Sequence, residues 1–230
     1  VVSVRALKSH GGVNFKDLDA TNPEAVSSGL SNLDKHLFNL KEVFHLPVVV
    51  AINKFPTDHE QEIDVVLKYC QDQGVPVELS EVVAKGGEGG TDLAKTVLKT
   101  IDQGVNNFSP LYGKKHTLKE KITLLATKIY GADGVSYTKE AEKALEKIAD
   151  LGFDHFPVCM AKTQMSLSDN PALKGAPKGW SLTVRDLRIS AGAGFIVVLA
   201  GNILTMPGLP KSPAAERVDL LQDGKITGLF

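Results

Sequence analysis

The 230-residue sequence predicts an α/β fold in two parts: a mostly parallel sheet domain over residues 1–110 and a smaller α+β domain over residues 111–230. Three observations carry this reading. In the first half, short apolar runs alternate with amphipathic helical stripes, the β-α-β order that demands right-handed crossovers between parallel strands. At residues 106–115 the pattern breaks in a turn-rich stretch. Beyond it, helical stripes come first and apolar runs follow, with a hairpin signal near the end.

Taken in order, residues 22–44 open with Asn22-Pro23, a helix start. Leu30, Leu33, Leu37, Leu40 and Phe44 then make one apolar stripe. Residues 47–52 read as a buried parallel strand, apolar throughout from 48 to 52. Residues 59–73 repeat the helical pattern through Ile63, Val66, Leu67 and Cys70, and Gly74 caps the end. A second short strand is expected at 75–79, then a polar glycine-rich loop at 80–90. An amphipathic helix follows at 91–103 through Leu93, Val97 and Ile101. After the boundary, Leu118, Ile122, Leu125 and Ile129 share a helix face. Gly131-Ala-Asp-Gly134 breaks it, and 138–149 is helical again. Apolar runs at 156–161, 182–189 and 194–200 are the strand candidates. Asp223-Gly224 between Leu221 and Ile226 marks a hairpin. The stretch 205–213 holds three prolines, is excluded from regular structure, and is expected to wrap a surface or close a pocket.

Composition narrows the function. Hydrophobic residues make up 43% of the chain, enough for a sizeable core. With 26 basic and 27 acidic residues the net charge is −1, so neither nucleic acid nor an anionic membrane is expected as a partner. The longest apolar segment, 194–200, is far too short to span a bilayer. Cys70 and Cys159 lie far apart in apolar segments and are expected to be buried and reduced, as in a cytoplasmic protein. No Cys-x-x-Cys, His-x-x-x-His or His-Glu-x-x-His spacing occurs, so no metal site is expected. The chain opens Val-Val-Ser-Val inside an apparent strand and reads as cut from something longer.

Two loops carry the chemistry. Asn53, Lys54, Phe55, Pro56 and Asp58 crowd into the turn after the 47–52 strand, and open α/β sheets bind ligands outside the carboxyl ends of their strands. This Asn-Lys-x-x-x-Asp turn resembles the base-reading loops of P-loop nucleotide-binding proteins. Yet no Gly-x-x-x-x-Gly-Lys-Ser/Thr phosphate loop occurs in the 230 residues. Asn53 and Asp58 either read a base or fix the turn. Phe55 and Pro56 either offer a flat heterocycle a stacking face, worth about 1 kcal/mol beyond area burial, or pack on the protein's own core. In the second loop, Ala84-Lys85-Gly86-Gly87-Glu88-Gly89-Gly90-Thr91, four glycines let backbone N–H groups approach an anion, Lys85 adds charge, and Thr91 is placed to cap the next helix. The alternative is a flexible connector. Both loops are expected on one sheet edge. Lys162, Thr163 and Gln164 gather donors and acceptors at another strand end, as a ligand site or as a solvated loop. Strict alternation puts Thr183, Arg185 and Leu187 on one strand face, with Asp186 and Arg188 on the other. His10, His116 and His155 have no evident partners, and no Ser-His-Asp or Cys-His arrangement stands out.

Taken together, a series of phrases resembles the formate–tetrahydrofolate ligase (10-formyltetrahydrofolate synthetase) family. These are Val-Arg-Ala-Leu-Lys-Ser-His-Gly-Gly (4–12), Val-Val-Ala-Ile-Asn-Lys-Phe-Pro-Thr-Asp (49–58), Ala-Lys-Gly-Gly-Glu-Gly-Gly (84–90), Ile-Tyr-Gly-Ala-Asp-Gly-Val (129–135), Pro-Val-Cys-Met-Ala-Lys-Thr-Gln (157–164), Thr-Val-Arg-Asp-Leu-Arg-Ile-Ser-Ala-Gly-Ala-Gly-Phe (183–195) and Thr-Met-Pro-Gly-Leu-Pro-Lys (205–211). They run in family order over nearly the whole chain.

The resemblance implies a cytoplasmic, homo-oligomeric ligase of one-carbon metabolism, activated by a monovalent cation. Such an enzyme uses ATP with Mg2+ to phosphorylate formate, and the formyl phosphate passes its formyl group to N10 of tetrahydrofolate. Family members are much longer, with the P-loop upstream of the part matched here. The chain is therefore expected to be the C-terminal portion: the end of a P-loop-type, mostly parallel sheet domain and then an α+β C-terminal domain. It would be inactive without the missing N-terminal P-loop domain, and no catalytic residue is assigned within it. The resemblance places Phe55 and Pro56 in the folate pocket. It sets Val83 where the family has a second stacking aromatic, a Trp. Asn53, Lys54, Asp58, Lys85, Gly86, Gly87, Glu88, Gly89, Gly90, Lys162, Thr163, Gln164 and Arg185 are the candidates for the nucleotide or phosphate side. Two other readings stay open: a catalytically silent folate- or nucleotide-binding or assembly module, and a P-loop-type switch selecting guanine through Asn53, Lys54 and Asp58.

Overall fold

Side-chain caps mark the starts of four helices. Ser3 accepts the Ala6 N–H at the start of α1 (Val4–His10). Asn22 accepts the Ala25 N–H at the start of α2 (Pro23–Phe38), with Pro23 pre-set for the first turn. Thr117 and Thr138 cap α6 (Leu118–Leu124) and α7 (Lys139–Asp150) in the same way. The computed structural model describes residues 1–104, 106–203 and 211–228, so most of the proline-rich stretch at 205–213 lies outside the described residues.

The first half is built on two parallel strands, β1 (Val50–Asn53) and β2 (Val77–Ser80), joined by α3 (Glu60–Asp72). Their register pairs Val50 with Val77 and Asn53 with Ser80, and Val2 adds a parallel bridge to Ile52. The expected strand at 47–52 begins late, at Val50. Its first ladder bond runs from the Val50 N–H to the Pro76 carbonyl, and Pro76 has no N–H to extend the pairing backward. Val4, Leu7, Val26, Leu33, Leu37, Ile52, Ile63, Val66 and Cys70 form one buried cluster. Two glycines bring α1 and α2 into contact. A Cβ on Gly29 would lie 2.0 Å from the Leu7 carbonyl oxygen, and one on Gly11 would lie 1.9 Å from that of Ala25.

The glycine-rich loop is more ordered than its composition suggests. A helical turn, α4 (Val82–Lys85), leads into a 3-10 segment, Gly86–Gly90, with Gly86 at φ 61°. Thr91 is not the cap expected of it. It is the first residue of α5 (Thr91–Asp102), and its hydroxyl donates back to the Gly87 carbonyl. The expected stripe on α5 is present, but Ile101 is 64% exposed.

The second half carries a four-stranded mixed sheet in the order β3 (Gly134–Tyr137), β5 (Ser181–Ser190), β6 (Phe195–Ala200), β4 (Val158–Ala161). The outer strands run parallel to their neighbours and the central pair is antiparallel. Leu118, Ile122, Leu145, Trp180, Val184 and Val198 belong to a second, separate core cluster. The strand β3 was hidden in the sequence behind the Gly131–Gly134 helix break.

Strict alternation on β5 fails. Leu182 and Val184 are buried, and so is Leu187. A β-bulge between Val184 and Asp186 shifts the register. Leu187 therefore returns to the core, and does not share a face with Thr183 and Arg185. Cys70 is buried and Cys159 exposed, neither in a disulfide. The expected burial of Cys159 is thus corrected: it occupies an exposed position on β4. The expected hairpin forms between β7 (Asp219–Leu220) and β8 (Ile226–Thr227).

A polar seam joins the halves. Both α2 and α6 run on into π-helical turns, Asn39–Val43 and Leu125–Tyr130. From α2 and its extension, Asn32 donates to the Gly175 carbonyl (3.1 Å), Lys35 to that of Lys128 (2.7 Å) and Asn39 to that of Ile129 (2.8 Å). His10 has a partner after all: its Nδ1 accepts the Gly175 N–H at 3.2 Å.

Candidate functional site

Parallel pairing brings the carboxyl ends of β1 and β2 to one edge, so the 54–59 and 81–90 loops emerge side by side, as expected. The Lys54 N–H donates to the Ser80 carbonyl (3.1 Å) and ties the two exits together. In the first loop the Phe55 N–H donates to Asp58 Oδ2 (2.8 Å) and the Asp58 N–H donates back to the Phe55 carbonyl (3.0 Å). Asp58 thereby fixes the turn. Its Oδ1 is buried with no partner among the described residues. The turn presents Phe55 at the surface, 38% exposed, beside an exposed Pro56. On the second loop Val83 is 86% exposed.

Phe55 and Asn53 also line a largely apolar cavity of about 490 Å³, together with Asn32, His36, Leu37 and Val50. Desolvation, with Lys162 and Lys35 nearby, holds the His36 imidazole below its ordinary pKa. It therefore enters the cavity wall as a neutral group near pH 7. Asn32 and His36 were missed in the sequence because one polar pair at i, i+4 reads as a solvated helix face.

Charge at the edge is paired. Lys54 Nζ lies 3.1 Å from Glu60 and 3.8 Å from Glu81, and Lys85 Nζ lies 2.7 Å from Glu81. The hydrogen bond from Lys85 pulls the Glu81 pKa down, and the same bond pushes that of Lys85 up. Beside the glycine turn lies a cleft of about 590 Å³ lined by Glu78, Glu81, Lys85, Glu88, Gly89 and Asp92. Four carboxylates share it with a single lysine that is already bonded to one of them. The glycine turn therefore offers a phosphate backbone N–H groups but little free positive charge. Glu81, the hub of these pairs, was not among the sequence candidates.

The remaining candidates belong to the second half. Lys162 Nζ donates to the carbonyls of Thr163 (3.0 Å), Ser168 (3.1 Å) and Ser166, and sits 5.0 Å from the centre of the Tyr130 ring. Burial pushes its pKa down to about 8, against the pull of Asp169. All three ammonium hydrogens are committed to the chain's own loop. Thr163 and Arg185 line a cleft of about 380 Å³ with Asp169, Asn170, Thr183 and Asn202. Gln164 is exposed nearby in sequence. None of these three cavities combines this group with the sheet-edge loops. No group of three His, Cys, Asp or Glu side chains among the described residues is arranged to hold a metal ion. No helix among the described residues is long and apolar enough to cross a membrane.

A mixed α/β chain that places two loops at the carboxyl edge of parallel strands has them where open α/β sheets commonly bind small molecules. The family model for formate–tetrahydrofolate ligase matches residues 1–230. The chain belongs to the formate–tetrahydrofolate ligase family, whose enzyme uses ATP and tetrahydrofolate in one-carbon metabolism.

Proposed function

We propose that this chain is the C-terminal part of a cytoplasmic, homo-oligomeric formate–tetrahydrofolate ligase and forms one wall of its folate site. The carrying observation is Phe55. An aromatic ring at the carboxyl edge of a parallel strand, with its own N–H bonded to Asp58, stands partly in solvent next to Pro56. A pterin stacked on it would cover that apolar area and add roughly 0.5–1.5 kcal/mol beyond burial. Val83 lies on the neighbouring loop without a π face, so it contributes apolar contact only. Asn53 in the adjoining cavity wall supplies a donor and an acceptor.

The phosphate chemistry belongs elsewhere in this reading. The 230 residues contain no phosphate loop, Lys54 and Lys85 are paired with carboxylates, and Lys162 is turned into its own loop. Among the described residues no group of three His, Cys, Asp or Glu side chains is arranged to hold a metal ion, and in this reading Mg2+ and any monovalent cation sit with an upstream P-loop domain that completes the sheet. This chain's task is then to hold tetrahydrofolate so that N10 meets formyl phosphate made by that domain, and to exclude water from one side. Two separate core clusters support a division of the chain near residue 110.

Calorimetric titration of tetrahydrofolate into the chain and into Phe55→Ala tests the reading, with ATP turnover measured alongside. Folate binding without formate-dependent ATP turnover is expected, and turnover by the chain alone would overturn it. A silent binding or assembly module is the second reading, favoured by Val83 in place of a stacking aromatic. Formate-dependent ATP turnover by a polypeptide that includes the upstream domain eliminates that alternative.

A further inference from the structure

The most deeply buried charges in the first half lie outside every cavity described above. Lys8 and Glu62 side chains are 0% exposed, with Nζ 2.9 Å from Oε1. The same Oε1 accepts the Asn22 N–H (2.7 Å) at the start of α2, and Oε2 accepts the His59 N–H (3.4 Å) at the start of α3. Lys8 Nζ also donates to the Ala20 carbonyl (3.1 Å). One carboxylate thus gathers α1, the entry to α2 and the entry to α3 at a single buried point.

His59 follows directly on the Phe55 turn. That turn has two anchors. At the front it hangs from the sheet edge through the Lys54 N–H. At the back, the bond from His59 to Glu62 fixes where the chain enters α3. Between them, the Phe55 backbone is held by its two bonds with Asp58, and the Lys54 side chain reaches across the turn to Glu60 (3.1 Å). A buried ion pair adds little net stability, since desolvation offsets the attraction and well-packed apolar residues often replace it without loss. What apolar residues cannot supply is an acceptor for two helix-entry N–H groups.

We infer that Lys8 and Glu62 are positioning residues of the folate wall: their buried pair sets where the Phe55–Pro56 turn stands at the sheet edge. The inference rests on the reading of Phe55 as that wall.

The test is made on the 230-residue chain with the double variant Lys8→Met/Glu62→Leu, which removes the pair without leaving a lone buried charge. Amide hydrogen exchange is followed at Phe55, Asp58 and His59, with Ile196 in the other core as control. Exchange at the three loop amides should accelerate at least tenfold, with Ile196 unchanged and tetrahydrofolate affinity reduced about tenfold. Loop exchange within twofold of the parent chain would overturn the inference, and so would unchanged folate affinity in a loosened loop. If the double variant does not fold, Glu62→Asp serves instead. It keeps the charge but withdraws the carboxylate from His59, and the same loop-specific acceleration is expected. Phe55→Ala separates the two claims. Unchanged folate affinity in that variant sinks the wall reading, whereas the exchange data report on the turn whether or not folate binds.

Discussion

At Phe55 and Asp58 the sequence alone posed the right alternatives, and the backbone resolves one of them. Asp58 fixes the turn, through an acceptor three residues from its donor, a local pattern that spacing reveals. The surroundings of Lys162 were illegible for the opposite reason. Two of its three carbonyl partners lie four and six residues away in a loop with no regular structure, and no periodicity encodes that. Val83 is the residue-scale departure with a direct test. Its side chain is almost wholly exposed, so Val83→Trp should fold normally. By supplying the second aromatic face it should tighten tetrahydrofolate binding about five- to tenfold, near 1 kcal/mol. A calorimetric titration showing no gain would place the pterin elsewhere.

At the scale of elements, helix starts and the parallel β1–β2 pair were legible because they depend on short signals: Asn22-Pro23, an apolar run, a glycine after the helix. The bulge in β5 was not legible. It depends on pairing with β6, and one unpaired residue moves Leu187 to the other face. The contact between α1 and α2 was equally silent, since Gly29 looks like an ordinary interruption in a helix. Packing makes it specific. With a Cβ placed 2.0 Å from the Leu7 carbonyl oxygen, Gly29→Ala must separate the helices. It should destabilise the chain by roughly 2–3 kcal/mol, the upper part of the range for overpacking. Urea unfolding measures this, and a loss under 0.5 kcal/mol would mean that the crossing is looser than described.

At the scale of the whole chain, two cores meet through side chains of one half and backbone groups of the other. Asn32, Lys35 and Asn39 share one face of α2 and its extension. In the sequence that face reads as solvated. His10 makes this seam sensitive to pH. Its Nδ1 can accept the Gly175 N–H only when unprotonated, and burial, with Lys174 and His36 nearby, lowers its pKa from the ordinary 6.5. The unfolded chain therefore takes up the proton first as pH falls. The contribution of His10 is fully present above pH 6.5 and is lost as pH drops through the lower folded value. Urea unfolding at pH 7.5 and pH 5.5 should show the loss, and His10→Gln should flatten it. An unchanged pH dependence in the variant would remove His10 from the seam. His36 shifts in the same direction and accounts for any slope that remains.

The claim that joins these scales is that one partly exposed ring, held at a sheet edge by Asp58 and by the buried Lys8–Glu62 pair, is a wall of the folate site. Calorimetric titration of tetrahydrofolate into the chain and into Phe55→Ala tests it most directly. The expected result is binding by the parent chain, weakened about tenfold in the variant, a loss of ~1.4 kcal/mol, with thermal unfolding unchanged. Equal affinity in the two proteins would contradict it.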